Sequence, residues 1–296
     1  MAVTDIDAYL DALWLERGLS LNTLESYRRD LRAFSGWLEA RARSLPGATQ
    51  EDIEAYMAER LRSGASSRST ARALSCLRGY YASLVREGAL SAAPTERVPG
   101  PKSGRALPKT LSEADVEALL MAPAGDSEPV AVRDLAMLEL LYAAGLRVSE
   151  LISLTVSEIN LRQGIVRVTG KGGRERLVPI GQSAELCLAA YLRSARGLLL
   201  GPVASDCVFP SRRGSPMTRQ AFWYRIKHWA AVANIRAPLS PHTLRHAFAT
   251  HLLNHGADIR SVQLLLGHRD LSTTQIYTYV AEQRMRQLVA DHHPRG

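Results

Sequence analysis

Six side chains in this sequence fit the needs of one reaction: Arg147, Lys171, His242, Arg245, His268 and Tyr277. Phosphoryl transfer requires a nucleophile, positive charge beside the non-bridging oxygens and a proton for the leaving oxygen. Tyr277 is the candidate nucleophile. Its free pKa is about 10, so it needs cations or a base nearby to release its proton. Arg147 and Arg245 would neutralise the charge that builds on the phosphorus oxygens. Lys171 would protonate the leaving oxygen, which an ammonium can do and a guanidinium hardly can. His242 would take or share the Tyr277 proton, and His268 would hydrogen-bond the phosphate. This set calls for neither metal nor ATP, and no cofactor is expected.

Each of these residues has a plainer reading when taken alone. Arg147 follows Gly145, where the preceding helix ends, and an Arg there is commonly just a surface charge. Lys171 sits in the run Gly170-Lys171-Gly172-Gly173, a hairpin tip rather than a phosphate-binding P-loop. Lysine is scarce, however, with four against 33 arginines, so a retained ammonium draws notice. His242 and Arg245 lie three apart at a helix start and share a face, where anions are favoured. His242 and His246 also have the spacing of a metal pair, but the intervening Glu of HExxH and a clear third ligand are missing. Tyr277, nine residues after His268, lies in the segment QIYTYV, where a Tyr is commonly a packing residue.

The elements that would carry these residues fall into two parts. In residues 22–38, Leu24, Tyr27, Leu31, Phe34 and Leu38 recur at helical spacing. Similar patterns at 4–16, 49–61 and 67–86 give four helices in residues 1–90, a small all-α domain. Residues 91–109 hold four prolines and two glycines and read as a basic linker. Residues 110–296 form the second domain, mostly helical. Its helices are expected after Ser112 and at 132–143, 183–195, 218–233, 242–254, 258–266 and 272–289, with strands at 165–169 and 176–180 in an antiparallel hairpin. The expected fold class is mainly α, with a small sheet in the C-terminal domain.

Composition narrows the partner. The chain has 296 residues and a net charge of +8, with a pI near 9.7. The first 90 residues are neutral, the linker holds +3 and the remainder +5. An excess of this kind suits a polyanion, nucleic acid first. Three scattered cysteines, with no CxxC, argue against a disulfide framework or a zinc site and for a cytoplasmic setting. The acidic start MAVTDIDAYLDALWLE is not that of a signal peptide, and no run is long enough to span a membrane.

At the six reactive residues the chain resembles the tyrosine recombinases, the λ-integrase family, whose ordered set is Arg, Lys, His-x-x-Arg, His and Tyr. The resemblance extends over nearly the full length. The segments GLRVSEL, GKGGRERLVPIG, MTRQAFWYRIKH, LSPHTLRHAFATHLLNHGAD and LLGHRDLSTTQIYT, the tail HHPRG and DALWLERGLS near the start are most similar to the family's chromosome-dimer-resolving branch. The resemblance implies an N-terminal core-binding domain and a C-terminal catalytic domain that form a C-shaped clamp on double-stranded DNA. It also implies a 3′-phosphotyrosine intermediate and a dif-type site. The implied partners are the paralogous recombinase XerC in a heterotetramer and an FtsK-like DNA translocase as activator, with residues 281–296 docking on a neighbouring subunit. That branch usually has His two residues after the nucleophile, where this chain has Tyr279, a second candidate tyrosine. A XerC-type paralogue, a mobile-element integrase, a type IB-like topoisomerase and a DNA-binding protein without catalysis are the alternatives.

Overall fold

Two helix starts in the first half, at Thr49 and Ser66, are marked by short polar side chains that satisfy exposed backbone donors. The computed structural model describes residues 2–17, 19–101, 111–170, 173, 175–267 and 279–295. They divide into two compact units, Met1–Leu107 and Pro108–Gly296. The first unit holds α1 (Ala2–Arg17), α2 (Leu21–Glu39), α3 (Gln50–Arg62) and α4 (Ser67–Arg86). Thr49 and Asp52 form a reciprocal capping box at α3, and Ser66 caps α4 through the Ser69 amide. The α2 stripe turns inward as its spacing demands: Leu24, Leu31, Phe34 and Leu38 are buried with Ile53 and Met57 of α3 and Leu74, Leu77 and Tyr81 of α4. Asp30, buried in α2, accepts Nε and Nη2 of Arg72, both at 3.0 Å, so one bidentate pair ties α4 to α2. Thr95 and Val98 are also buried in this unit, and Arg78 donates to the Val98 carbonyl at 2.7 Å. The first part of the Pro-rich stretch is therefore packed down, while residues 102–110 lie outside the described set.

The second unit is built around α6 (Pro129–Ala143), which packs against α5 (Glu113–Ala124), α8 (Gln182–Ser194) and α11 (Pro241–Asn254). Its sequence is largely apolar and it is central: Met137, Leu138, Leu140 and Leu141 are fully buried, as are the charged Arg133, Asp134 and Glu139. Asp134 and His251, polar groups buried beside or within it, find partners. Asp134 accepts from Arg133, Arg225 and Trp229. His251 of α11 meets the Leu111 carbonyl through Nε2 at 2.9 Å and the Tyr142 hydroxyl through Nδ1 at 2.8 Å. A carbonyl only accepts, so Nε2 carries the proton and Nδ1 accepts from Tyr142.

A three-stranded antiparallel sheet lies in this unit in the order β1 (Ile159–Asn160), β2 (Ile165–Thr169), β3 (Glu175–Pro179). The hairpin pairs Thr169 with Glu175 and Val168 with Arg176. The sequence pattern misses β1, α7 (Val148–Ser153) and α9 (Arg196–Leu200), all shorter than the window a periodicity needs. It also starts α6 three residues late, because Pro129 opens the helix at a position where its missing N–H costs nothing. The remaining helices are α10 (Arg219–Val232), α12 (Ile259–Leu266) and α13 (Tyr279–His292). Residues 272–278 of the expected last helix lie outside the described residues. α13 packs on α11 and β3. Val289 and His293 are buried there, His293 lying 4.7 Å from Tyr142 and 5.4 Å from Phe248 between ring centroids. Arg295 pairs with the buried Glu139 of α6. Among the described residues, no helix is long and apolar enough to cross a membrane.

Candidate active site

Two helix starts and one strand converge on a single buried carboxylate. Ser240 caps α11, with Thr243 closing the capping box and Pro241 in the first turn. His242 is exposed on that first turn, and Arg245 lies one turn further on, only 7% exposed. The Arg245 guanidinium donates to the Gly145 carbonyl and to the Leu266 carbonyl, each at 2.6 Å. It thereby joins the end of α6 to the end of α12. Arg147 is the N-cap of α7, and its side chain is 39% exposed. Its amide donates to Glu150 Oε2 and its Nη1 to Glu150 Oε1, both at 2.8 Å. Arg245 Nη1 stands 3.8 Å from Glu150 Oε2. The two arginines singled out in the sequence thus meet through Glu150.

Arg176 of β3 completes the cluster. Its two terminal nitrogens grip Glu150, Nη1 to Oε1 at 2.8 Å and Nη2 to Oε2 at 2.9 Å, while Nε donates to the Leu265 carbonyl at 3.2 Å. Burial alone would push the Glu150 carboxyl up. The hydrogen bonds and charges of Arg176 and Arg147 outweigh it and hold the group at about 2. Glu150 is therefore ionised through the whole neutral range. Arg245 is pulled down to about 10, first by burial and then by the repulsion of Arg147. It still carries its charge at neutral pH. Three guanidiniums and one carboxylate leave two positive charges, with Arg147 nearest to solvent. A tetrahedral oxyanion is the ligand such a fork of donors suits.

Two glycines make this convergence possible. Gly267 caps α12 in the left-handed conformation with φ +65°, and a Cβ there would press on the Arg176 side chain at 3.2 Å. Gly145 has φ +55°, and a Cβ would lie 2.4 Å from Phe248 Cδ1. Phe248 belongs to α11, so only a glycine lets the carbonyl at the end of α6 come within reach of Arg245. Gly145→Ala is expected to lose about 2–4 kcal/mol of unfolding free energy, from backbone strain together with overpacking. Equilibrium urea denaturation measures this; a change below about 0.5 kcal/mol would mean that Phe248 moves aside freely.

Of the six residues read from the sequence, the structure brings Arg147 and Arg245 to one carboxylate and places His242 on the first turn of the same helix as Arg245. Lys171, His268 and Tyr277 lie outside the described residues. Sequence reasoning missed Glu150 and Arg176, though each left a trace. Glu150 stands three residues after the helix-starting Arg147, the spacing of a capping box. Arg176 shares strand parity with the buried Val178, so its charge falls on an inward position.

Comparison with known proteins agrees with this geometry. Residues 109–284 match the Phage integrase family, and residues 6–88 match the Phage integrase, N-terminal SAM-like domain. The chain belongs to the phage integrase family, the tyrosine recombinases. As a tyrosine recombinase it is an enzyme that cleaves and rejoins DNA. It is 60% identical to the Tyrosine recombinase XerD of Pseudomonas aeruginosa, over 98% of this chain and 97% of that one. The Tyrosine recombinase XerD of Shewanella oneidensis is 56% identical over the same shares of the two chains. Among solved structures, a λ integrase dimer bound to a COC′ core site superposes with a TM-score of 0.70 at 19% identity, covering 96% of this chain and 94% of that one. At that identity the likeness concerns the fold: a mainly helical catalytic unit with a small antiparallel sheet, and a helical N-terminal unit.

Proposed function

We propose that this recombinase acts in chromosome-dimer resolution, as a XerD-type subunit at dif-like sites. One observation carries the chemistry: two arginines from separate segments are tied to one ionised, buried carboxylate and present a net positive site at the surface. The scissile phosphate of duplex DNA is the anion that site receives. Tyr277 attacks its phosphorus while the bond to the 5′-oxygen breaks, leaving a 3′-phosphotyrosine. His242 takes the Tyr277 proton, Lys171 gives one to the departing 5′-oxygen and His268 hydrogen-bonds the phosphate. Arg147 and Arg245 neutralise the non-bridging oxygens as the transition state forms. Attack by another strand's 5′-hydroxyl reverses these steps and restores the phosphodiester.

The near-full-length similarity to proteins named XerD supports the narrower role. In that role the chain works in the cytoplasm, pairs with a XerC-type paralogue in a heterotetramer and is switched on by an FtsK-like translocase. The test is single-turnover reaction of the full chain with a nicked duplex carrying a dif-like site, with and without the paralogue. The expected result is a denaturant-stable adduct at the 3′-phosphate, with complete strand exchange only when the paralogue is present. Binding should also weaken steeply with salt as phosphate contacts release counterions. Strand exchange by this chain alone would point to the mobile-element branch. Relaxation of supercoils without site preference would point to a topoisomerase-like role.

A further inference from the structure

Arg176 turns all three nitrogens of its guanidinium to acceptors inside the protein. The fork closes on both oxygens of Glu150 and Nε is held by the Leu265 carbonyl, with the residue 7% exposed. Buried in this way, it is poorly placed to contact DNA. Glu150 in turn serves Arg147 through both of its oxygens and faces Arg245 across 3.8 Å. In this network Arg176 offsets the carboxylate charge. If it were absent, the whole charge of Glu150 would fall on Arg147 and Arg245. The net charge they present to a phosphate would drop from two to one, and Arg147, already bonded to Glu150 through Nη1, would be held to it more tightly. Arg176 also anchors β3 to the last turn of α12, whose Leu266 carbonyl fixes Arg245.

We propose that Arg176 is a positioning residue for strand cleavage: by pairing with Glu150 it leaves Arg147 and Arg245 free to neutralise the scissile phosphate. The inference rests on the proposed role of those two arginines. Its signature is a charge effect on the reacting phosphate, exerted by a side chain that never touches DNA. Loss of Arg176 should slow formation of the 3′-phosphotyrosine adduct and leave binding of uncleaved duplex nearly intact. Removal of the carboxylate charge as well should restore the balance.

The experiment measures single-turnover adduct formation on the nicked dif-like duplex, for the wild type, Arg176→Met, Arg176→Lys and the double variant Arg176→Met with Glu150→Gln. A second duplex carries a methylphosphonate at the scissile position and so has one non-bridging charge fewer. Arg176→Met is expected to lose about tenfold to a hundredfold in rate on the phosphate, a span typical of coupling within one ion network. The deficit should shrink several-fold on the methylphosphonate and in the double variant. Arg176→Lys keeps the charge but loses the fork, and should fall between wild type and Arg176→Met. A wild-type rate for Arg176→Met would overturn the proposal. So would an equal deficit on both duplexes with no recovery in the double variant, which would mark a purely structural role. If Arg176→Met does not fold, Arg176→Lys decides by the same comparison of duplexes. A wild-type protein that forms no adduct on either duplex would take down the functional reading and this inference together. A normal adduct with an unaffected Arg176→Met would sink the inference alone.

Discussion

Replacing Tyr277 with phenylalanine is expected to remove the covalent protein–DNA adduct completely, a loss of at least about 10⁴-fold, because no other group of the set can form the same ester. Phe keeps the ring, so folding and duplex binding should stay at wild-type levels. The nearby Tyr279 makes this an informative experiment. It opens α13, two residues beyond Tyr277, and chemistry alone would allow either phenol to attack. The nine-residue step from His268 and the order of the six reactive residues favour Tyr277. Tyr279→Phe is therefore expected to retain adduct formation within a few-fold of wild type. The readout is an adduct on nicked duplex that survives denaturant, with the attached peptide identified by mass spectrometry. An adduct lost only in Tyr279→Phe would shift the nucleophile and break the register on which the six-residue assignment depends. Retention in both single variants would mean that neither phenol is uniquely required.

What could be read from the chain and what could not divide along a physical line. Features set by local periodicity were legible: the α2 stripe of Leu24, Leu31, Phe34 and Leu38, the largely apolar α6, and the hairpin of β2 and β3. Arg147 and Arg245 were also legible, because their neighbours resemble a known ordered set. The carboxylate that joins them was not. A Glu in the first turn of a helix ordinarily satisfies backbone donors, and Glu150 does this for the Arg147 amide. Only the fold shows that it also takes the Arg176 fork from a strand and faces Arg245 from a third element. An ion network assembled from α7, β3 and α11 has no period and no fixed spacing in sequence.

Arg147→Ala should separate cleavage from binding. The expected loss in adduct formation is about 10²–10³-fold, the scale for removing one preorganised donor to a developing oxyanion. Duplex affinity should fall only a few-fold, and the slope of log affinity against log salt should fall by about one. Arg147 suits this test because truncating it orphans little. Its amide remains to bond Glu150, and Glu150 keeps the bidentate pair with Arg176. Arg245 would give a less readable result. Its guanidinium satisfies the carbonyls of Gly145 and Leu266, so Arg245→Ala would leave buried acceptors unpaired, at about 1–3 kcal/mol each, besides removing charge. Arg147→Lys adds a second reading. A lysine restores the charge without the planar fork, so partial recovery would credit charge, and none would credit bidentate geometry. Equal losses of cleavage and binding in Arg147→Ala would instead assign this residue to gripping DNA. The positive site around Glu150 would then be a binding feature, with the transition-state charge met by other groups.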